Sequence, residues 1–311
     1  MSETRSLPIG VFDSGLGGLT VARELMRALP SEAIVYLGDT ARCPYGPRDP
    51  AEVREFVLQI GTWLTLQPVK LIVIACNTAT AAGLSLAQRV FDVPVVGVVE
   101  PGARAAVQAT VNRRVGVIAT VGTVQSGAYS RAVRALDAGV TVFSAAAPRF
   151  VDVVEAGLRM DDGPIEDWMS QISEVFVRPS FYEIARDYLD PLKRAGVDTL
   201  VLGCTHFPLL STAIQQVVGP DVRLISSAEE TAREVAETLA ARGQLAAETG
   251  RPGRAFYTTG DPGEFERLGS RILGRTTGPV DTVSVAKLGA LVGGDMRAAV
   301  IAFDSEEETC A

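Results

Sequence analysis

Two segments of this 311-residue chain repeat one pattern of residue types. The first is Val69-Lys70-Leu71-Ile72-Val73-Ile74-Ala75-Cys76-Asn77-Thr78, the second Val197-Asp198-Thr199-Leu200-Val201-Leu202-Gly203-Cys204-Thr205-His206. Each passes from an apolar run through one small residue to a cysteine, then to two polar residues. An ionised thiol is a base and a nucleophile. Two similar thiols on two similar strands could face each other across one cleft, one removing a proton while the other supplies one. His206, the single histidine, stands two positions after Cys204, where it could tune that thiol or relay a proton. A third segment, Asp13-Ser14-Gly15-Leu16-Gly17-Gly18-Leu19-Thr20, could bring Asp13 and Ser14 into the same cleft.

The elements that must carry these residues follow from hydrophobic pattern. A continuous apolar run suits a strand buried on both faces of a parallel sheet, and ligands of open α/β sheets bind beyond the carboxyl ends of such strands. Ile9 to Phe12 reads as a first strand, with a tight turn and a helix after it in which Leu19, Ala22, Leu25, Met26 and Leu29 keep helical spacing. Ala33 to Leu37 and Pro94 to Val99 read as further strands. Val53, Phe56, Val57, Ile60 and Leu64 mark a helix, and another follows Cys76 from about Ala79 to Phe91. This alternation predicts βαβ units and a mostly parallel sheet. The pattern then restarts, because Arg114 to Thr120 echoes Pro8 to Ser14. Gly10 and Cys76 are 66 positions apart and Gly116 and Cys204 are 88, so the second half carries about 22 more residues. These are placed between Arg159 and Pro191, where Ile165, Trp168, Met169, Ile172, Phe176, Phe181, Ile184 and Tyr188 fit one or two helices. The fold class expected is α/β, two similar domains with mostly parallel sheets related by internal duplication and the site in the cleft between them.

Each candidate also has a plain structural reading. A buried cysteine is more often a small core residue than a nucleophile; the duplicated context of Cys76 and Cys204, each before a helix start whose amides would favour a thiolate, argues for function. Cys43 and Cys310 have no such context and read as bystanders. The glycine-rich turn lacks the Gly-Lys-Ser/Thr ending of a phosphate loop and does not match the dinucleotide fingerprint. Pro44-Tyr45-Gly46 reads as a turn, and Glu155 as an ordinary helix residue. The four cysteines form no CxxC pair, and with one histidine they make no recognisable zinc set. A net charge of −8 argues against a nucleic-acid binder. The first residues show no signal-peptide core and no apolar run is long enough to span a bilayer, so a cytoplasmic location is expected.

Taken together, these segments resemble the glutamate racemases, cofactor-independent amino-acid racemases of bacterial cell-wall synthesis. The resemblance rests on Gly10 to Val21, Gly38 to Thr40, Pro44 to Gly46, Ala75 to Thr78, Gly116 to Thr120, Leu202 to Leu210, Ser226 to Ala232 and Phe256 to Asp261. It implies that Cys76 and Cys204 are the catalytic pair. By the same resemblance the substrate is bound by Asp13, Ser14, Tyr45, Gly46, Asn77, Thr78, Thr205 and His206. Asp13 would support Cys76 and Glu155 would support Cys204. Two departures stand out: the stretch 159–191 is longer than usual for the family, and Ala147-Pro148 replaces a common Cys-Pro. The family fold implies a first domain of residues 1–99 plus 211–311 and a second of 100–210, with the extra helical segment at about 159–191.

The expected reaction interconverts L- and D-glutamate with no cofactor and no metal, supplying D-glutamate for peptidoglycan. The expected partner is the small-molecule substrate, with neither nucleic acid nor membrane, and a homodimer remains open. The alternatives are a racemase for aspartate or another amino acid on the same scaffold, a non-catalytic binding protein, and a cysteine hydrolase built on Cys204 and His206.

Overall fold

The computed structural model describes residues 3–160, 179–247 and 252–293, with Val300 and Phe303. After a single helical turn at Glu3–Ser6, the first half runs β1 (Ile9–Asp13), α1 (Leu19–Ala28), β2 (Ile34–Gly38), α2 (Pro50–Thr65), β3 (Leu71–Ile74), α3 (Asn77–Val90), β4 (Val95–Gly97) and α4 (Val99–Ala109). The second runs β5 (Arg114–Ala119), α5 (Val121–Gln125), α6 (Ala128–Leu136), β6 (Thr141–Ala146), α7 (Pro148–Met160), α8 (Pro179–Arg194) and β7 (Thr199–Gly203). It continues through a 3-10 turn (Phe207–Leu210) to α9 (Ser211–Val218), β8 (Arg223–Ser226) and α10 (Ser227–Ala241). β9 (Arg254–Thr258), α11 (Pro262–Leu273), β10 (Val280–Thr282) and α12 (Val285–Leu291) close the described chain.

Every strand pair is parallel. The first sheet has the order β10-β9-β2-β1-β3-β4 and the second β6-β5-β7-β8. Without β9 and β10, the first reads β2-β1-β3-β4, the order of the second, which is the duplication expected. The register repeats too: Phe12 pairs with Ile74 and Ile118 with Leu202.

The apolar runs are continuous because both faces are covered. Ile9, Val11, Ile34, Tyr36, Leu71 and Val73 share one core with side chains of α1, α10 and α11. Their neighbours Phe12, Leu37, Ile72 and Ile74 point the other way into a core with α2 and α3. α2 starts where Asp49 accepts a hydrogen bond from the Ala51 amide and Pro50 opens the first turn. Among the described residues, no helix is long and apolar enough to cross a membrane.

One expectation needs correction. Residues 211–226 do not return to the first sheet: α9 packs on α8, and β8 hydrogen-bonds along β7 in the second. The outer edge of β7 needs a partner for its backbone groups, as the edge of β3 does, and β8 and β4 fill these equivalent places. The return comes at α10, which packs on α1, while α4 reaches over to α6, β7 and β8. Each fourth strand is thus followed by a helix that crosses to the other half. Of the expected extra segment at 159–191, residues 161–178, with Ile165, Trp168, Met169, Ile172 and Phe176, lie outside the described residues. Its end is α8, which buries Phe181 against Phe150 with ring centroids 5.3 Å apart.

Candidate active site

The site forms where β1, β3, β5 and β7 end. Asp13, the last residue of β1, is fully buried, and its Oδ2 accepts hydrogen bonds from the amides of Gly15 and Gly18 at 3.1 and 2.9 Å. The carboxylate thereby shapes the turn that opens α1. Burial raises the Asp13 pKa above the usual carboxylate range, against the pull of nearby His206 and the turn amides. The glycines of the turn allow close approach. A Cβ on Gly17 would lie 2.3 Å from Thr205 Oγ1 and 2.7 Å from His206 Nδ1. Thr20 continues this contact, donating to the carbonyls of Gly17 and Thr205 at 2.8 and 3.0 Å. The first turn of one half therefore lies directly on the second cysteine segment.

Cys76 follows β3 and caps α3, its Sγ accepting from the Ala79 amide at 3.4 Å and standing 3.7 Å from Ser14 Oγ. It is buried, and burial pushes its thiol up to about 12. Asp13 adds to that, whereas the Ala79 amide and the Ser14 hydroxyl oppose it. Cys204 follows β7 in a different setting. The expectation that it too precedes a helix start is corrected: a 3-10 turn holding Pro208 intervenes, and α9 begins only at Ser211. Proline supplies no amide proton for a regular first turn around the sulfur. The group beside Cys204 is instead His206, whose Nδ1 lies 3.8 Å from Sγ. On its other side His206 Nε2 is 3.6 Å from Glu155 Oε1, an ion-pair contact too long for a hydrogen bond. Burial disfavours protonation of His206, but Cys204 and Glu155 outweigh it and raise the imidazole to about 10. Glu155, on α7, is in turn held below the usual carboxylate range by His206, against a burial penalty and with help from Arg159 at 3.3 Å.

These groups enclose a cavity of about 220 Å³, lined by Ser14, Tyr45, Gly46, Cys76, Asn77, Thr78, Cys204, Thr205 and His206 among others. Asp13 lies beneath it. Glu155 lines an adjoining hollow and meets the site through His206. Tyr45 is fixed from below, donating to Asp39 Oδ2, while Asp39 also accepts from Arg42 Nε at 2.6 Å and Thr259 Oγ1 at 2.8 Å. Gly46 receives the Gly122 amide on its carbonyl at 3.0 Å, which ties the Tyr45 loop to the second half.

All the expected site residues thus converge, and the structure adds several. Thr120 lines the cavity and shares hydrogen bonds with Thr78 and Thr123 at 2.9 and 3.0 Å. The duplication carried a signal for it, since Thr120 stands in the echo of Ser14. Asp152 and Val151 also line the cavity, from α7, with no motif to mark them. Cys43, expected to be a bystander, also lines the cavity, with its Sγ 4.0 Å from Glu155 Oε1, brought there by the loop before Pro44. Cys310 lies outside the described residues. Among the described residues, no three His, Cys, Asp or Glu side chains group as a metal site.

Comparison with known proteins places the chain in a family. Residues 9–235 match the family model described as Asp/Glu/hydantoin racemase. A glutamate racemase of Corynebacterium diphtheriae is 48% identical over 267 residues, covering 86% of this chain and 94% of that protein. The crystal structure of a glutamate racemase isoform of Bacillus anthracis superposes with a TM-score of 0.80 at 43% identity, covering 90% of this chain and 98% of that one. The glutamate racemase of Francisella tularensis, solved in complex with D-glutamate, gives 0.79 at 32% identity over the same shares. With a matching model over most of its length and relatives of nearly half its residues, the chain belongs to the Asp/Glu/hydantoin racemase family.

Proposed function

We propose that this chain is a cofactor-independent isomerase that interconverts L- and D-glutamate in the cytoplasm and supplies D-glutamate for peptidoglycan synthesis. The observation that carries the reading is that Cys76 and Cys204 follow equivalent strands of two repeated units and line one cavity. Inverting a carbon centre by proton transfer needs a base on one face and an acid on the other, and two thiols on opposed strands supply both. In one direction the Cys76 thiolate takes the α-proton of D-glutamate. The C–H electron pair spreads into the α-carboxylate, and the Cys204 thiol returns a proton to the opposite face. The reverse direction exchanges the roles. In this reading Ser14, Asn77, Thr78 and Thr205 hold the substrate's carboxylates and ammonium, with Tyr45 and Gly46 forming the wall opposite. Asp13 supports Cys76 through the turn that carries Ser14, and Glu155 supports Cys204 through His206. We place the boundary between the two domains at the crossing helices α4 and α10.

The test is exchange of the α-proton. Purified protein in D2O should incorporate deuterium into both enantiomers of glutamate without pyridoxal phosphate, nucleotide or metal. Exchange into aspartate but not glutamate would move the substrate down by one methylene. A folded protein that exchanges no amino acid would be a binding protein.

A further inference from the structure

Tyr129 stands on α6 of the second half, yet its phenol reaches Asn77 of the first, donating to Asn77 Oδ1 at 2.8 Å. Both side chains are 2% exposed. The ring is held closely: a Cβ on Gly203 would lie 3.0 Å from Tyr129 Cε2, and one on Gly102 3.4 Å from its hydroxyl. Glycines at both places let the ring lie against the backbone. The other end of the Asn77 amide, Nδ2, is buried and has no hydrogen-bond partner. An amide N–H2 left unpaired in a protein interior is costly unless something arrives to accept from it. Asn77 lines the cavity, where the substrate presents carboxylates.

We propose that Tyr129 is a positioning residue: by donating to Oδ1 it turns the Asn77 amide so that its N–H2 end is kept for a substrate carboxylate. The proposal rests on the glutamate reading above. An asparagine amide is nearly symmetric in shape, so packing alone selects poorly between its two flips. With the flip reversed, a carbonyl oxygen would face an anion. A phenol fixes the right flip as long as it keeps its proton, and burial pushes the Tyr129 hydroxyl well above its ordinary titration range. The bond also joins the two halves, so the donor is set only when α6 and α3 are packed as found.

Tyr129→Phe removes one oxygen and keeps the ring in place. It should lower kcat/KM for glutamate by about tenfold, the scale of one hydrogen bond to a charged group. Asn77→Ala should lower it further, and adding Tyr129→Phe to Asn77→Ala should change little, because Tyr129 acts through Asn77. A purely structural tyrosine would instead multiply the two losses. Binding of glutarate, a dicarboxylate that lacks the reacting ammonium and is not turned over, should weaken by a similar factor in Tyr129→Phe and is measured without catalysis. Multiplied losses, or unchanged glutarate affinity in Tyr129→Phe, would overturn the role of Tyr129. A wild type that binds glutarate but leaves glutamate unchanged would overturn the catalytic reading alone.

Discussion

The two thiols are chemically unequal although the strands under them are alike. Cys76 meets neutral donors and a buried carboxylate, and its thiol is pushed up to about 12. Such a thiol yields little thiolate near neutrality, so the substrate's ammonium or a relayed proton must be part of its activation. Cys204 has the His206 imidazole at 3.8 Å, raised to about 10 by Cys204 itself and by Glu155 against burial. A charged donor favours a negative sulfur more than a neutral one does. In the free enzyme at pH 7.5, iodoacetamide should therefore modify Cys204 faster than Cys76, as read by peptide mass spectrometry, and His206→Asn should abolish the difference. Equal labelling in the wild type would contradict the asymmetry. Cys76→Ser and Cys204→Ser should each slow racemisation roughly 10²–10⁴-fold, since a hydroxyl is a far weaker base; a fully active Cys76→Ser would remove the two-thiol mechanism. His206 also makes stability depend on pH. Its folded value near 10 exceeds the ordinary 6.5, so its contribution is complete below about pH 6.5 and is lost as pH rises toward 10. Thermal unfolding at pH 6.5, 8 and 9.5 should show a fall in Tm for the wild type that is smaller in His206→Asn.

At the scale of elements, the site depends on how closely the β1 turn approaches the segment after β7. Gly17 is the point of contact. Gly17→Ala would drive a methyl into Thr205 Oγ1 and the His206 ring. The backbone must retreat, with a destabilisation of roughly 1–3 kcal/mol. A shift of even an ångström at Thr205 and His206 should lower kcat/KM by about 10²-fold. Activity within twofold of wild type would mean the turn has slack that the packing does not suggest. Periodicity made these elements legible. The strand ending before Cys76 and its following helix fall within a residue or two of β3 and α3, because a short β-branched apolar run followed by a helical pattern reads as a buried strand and its crossover helix. Boundaries set by caps were less visible. The expected strand from Pro94 to Val99 stops at Gly97, and Val99 begins α4. Likewise nothing local in Thr205 to Leu210 distinguishes a 3-10 turn from a helix start except Pro208.

At the scale of the whole molecule, the functional end of the first sheet is separated from an anchoring end. Lys70, just before β3, is buried and pairs with Glu32 at 2.5 Å. It also donates to the carbonyls of Arg5 and Gln244, both at 2.9 Å. One ammonium thus fastens the first helical turn and the chain after α10 beneath the sheet. Lys70→Ala strands Glu32 and should cost about 3–5 kcal/mol of stability, seen in urea unfolding. KM for glutamate should be unchanged, because the cavity lies at the opposite ends of the strands. A rise in KM with little loss of stability would reverse that assignment.

Composition and pattern by themselves determined the class of fold, the repeat, the paired cysteines and the residues after them. These are statements about neighbours in sequence, where strand and helix periods and duplicated motifs leave a direct trace. What tertiary structure alone decided concerns partners far apart in the chain. The place of residues 211–226 in the second sheet was set by the open edge of β7, and the crossing of α4 and α10 by which half offered each an apolar face. Cys43 entered the cavity wall through a loop, and Tyr129, outside that wall, reaches Asn77 across 52 positions of sequence. Burial then made the chemistry. The two buried cysteines meet different partners, Ser14 and the Ala79 amide at Cys76 and the His206 ring at Cys204, an effect no local stretch of sequence contains.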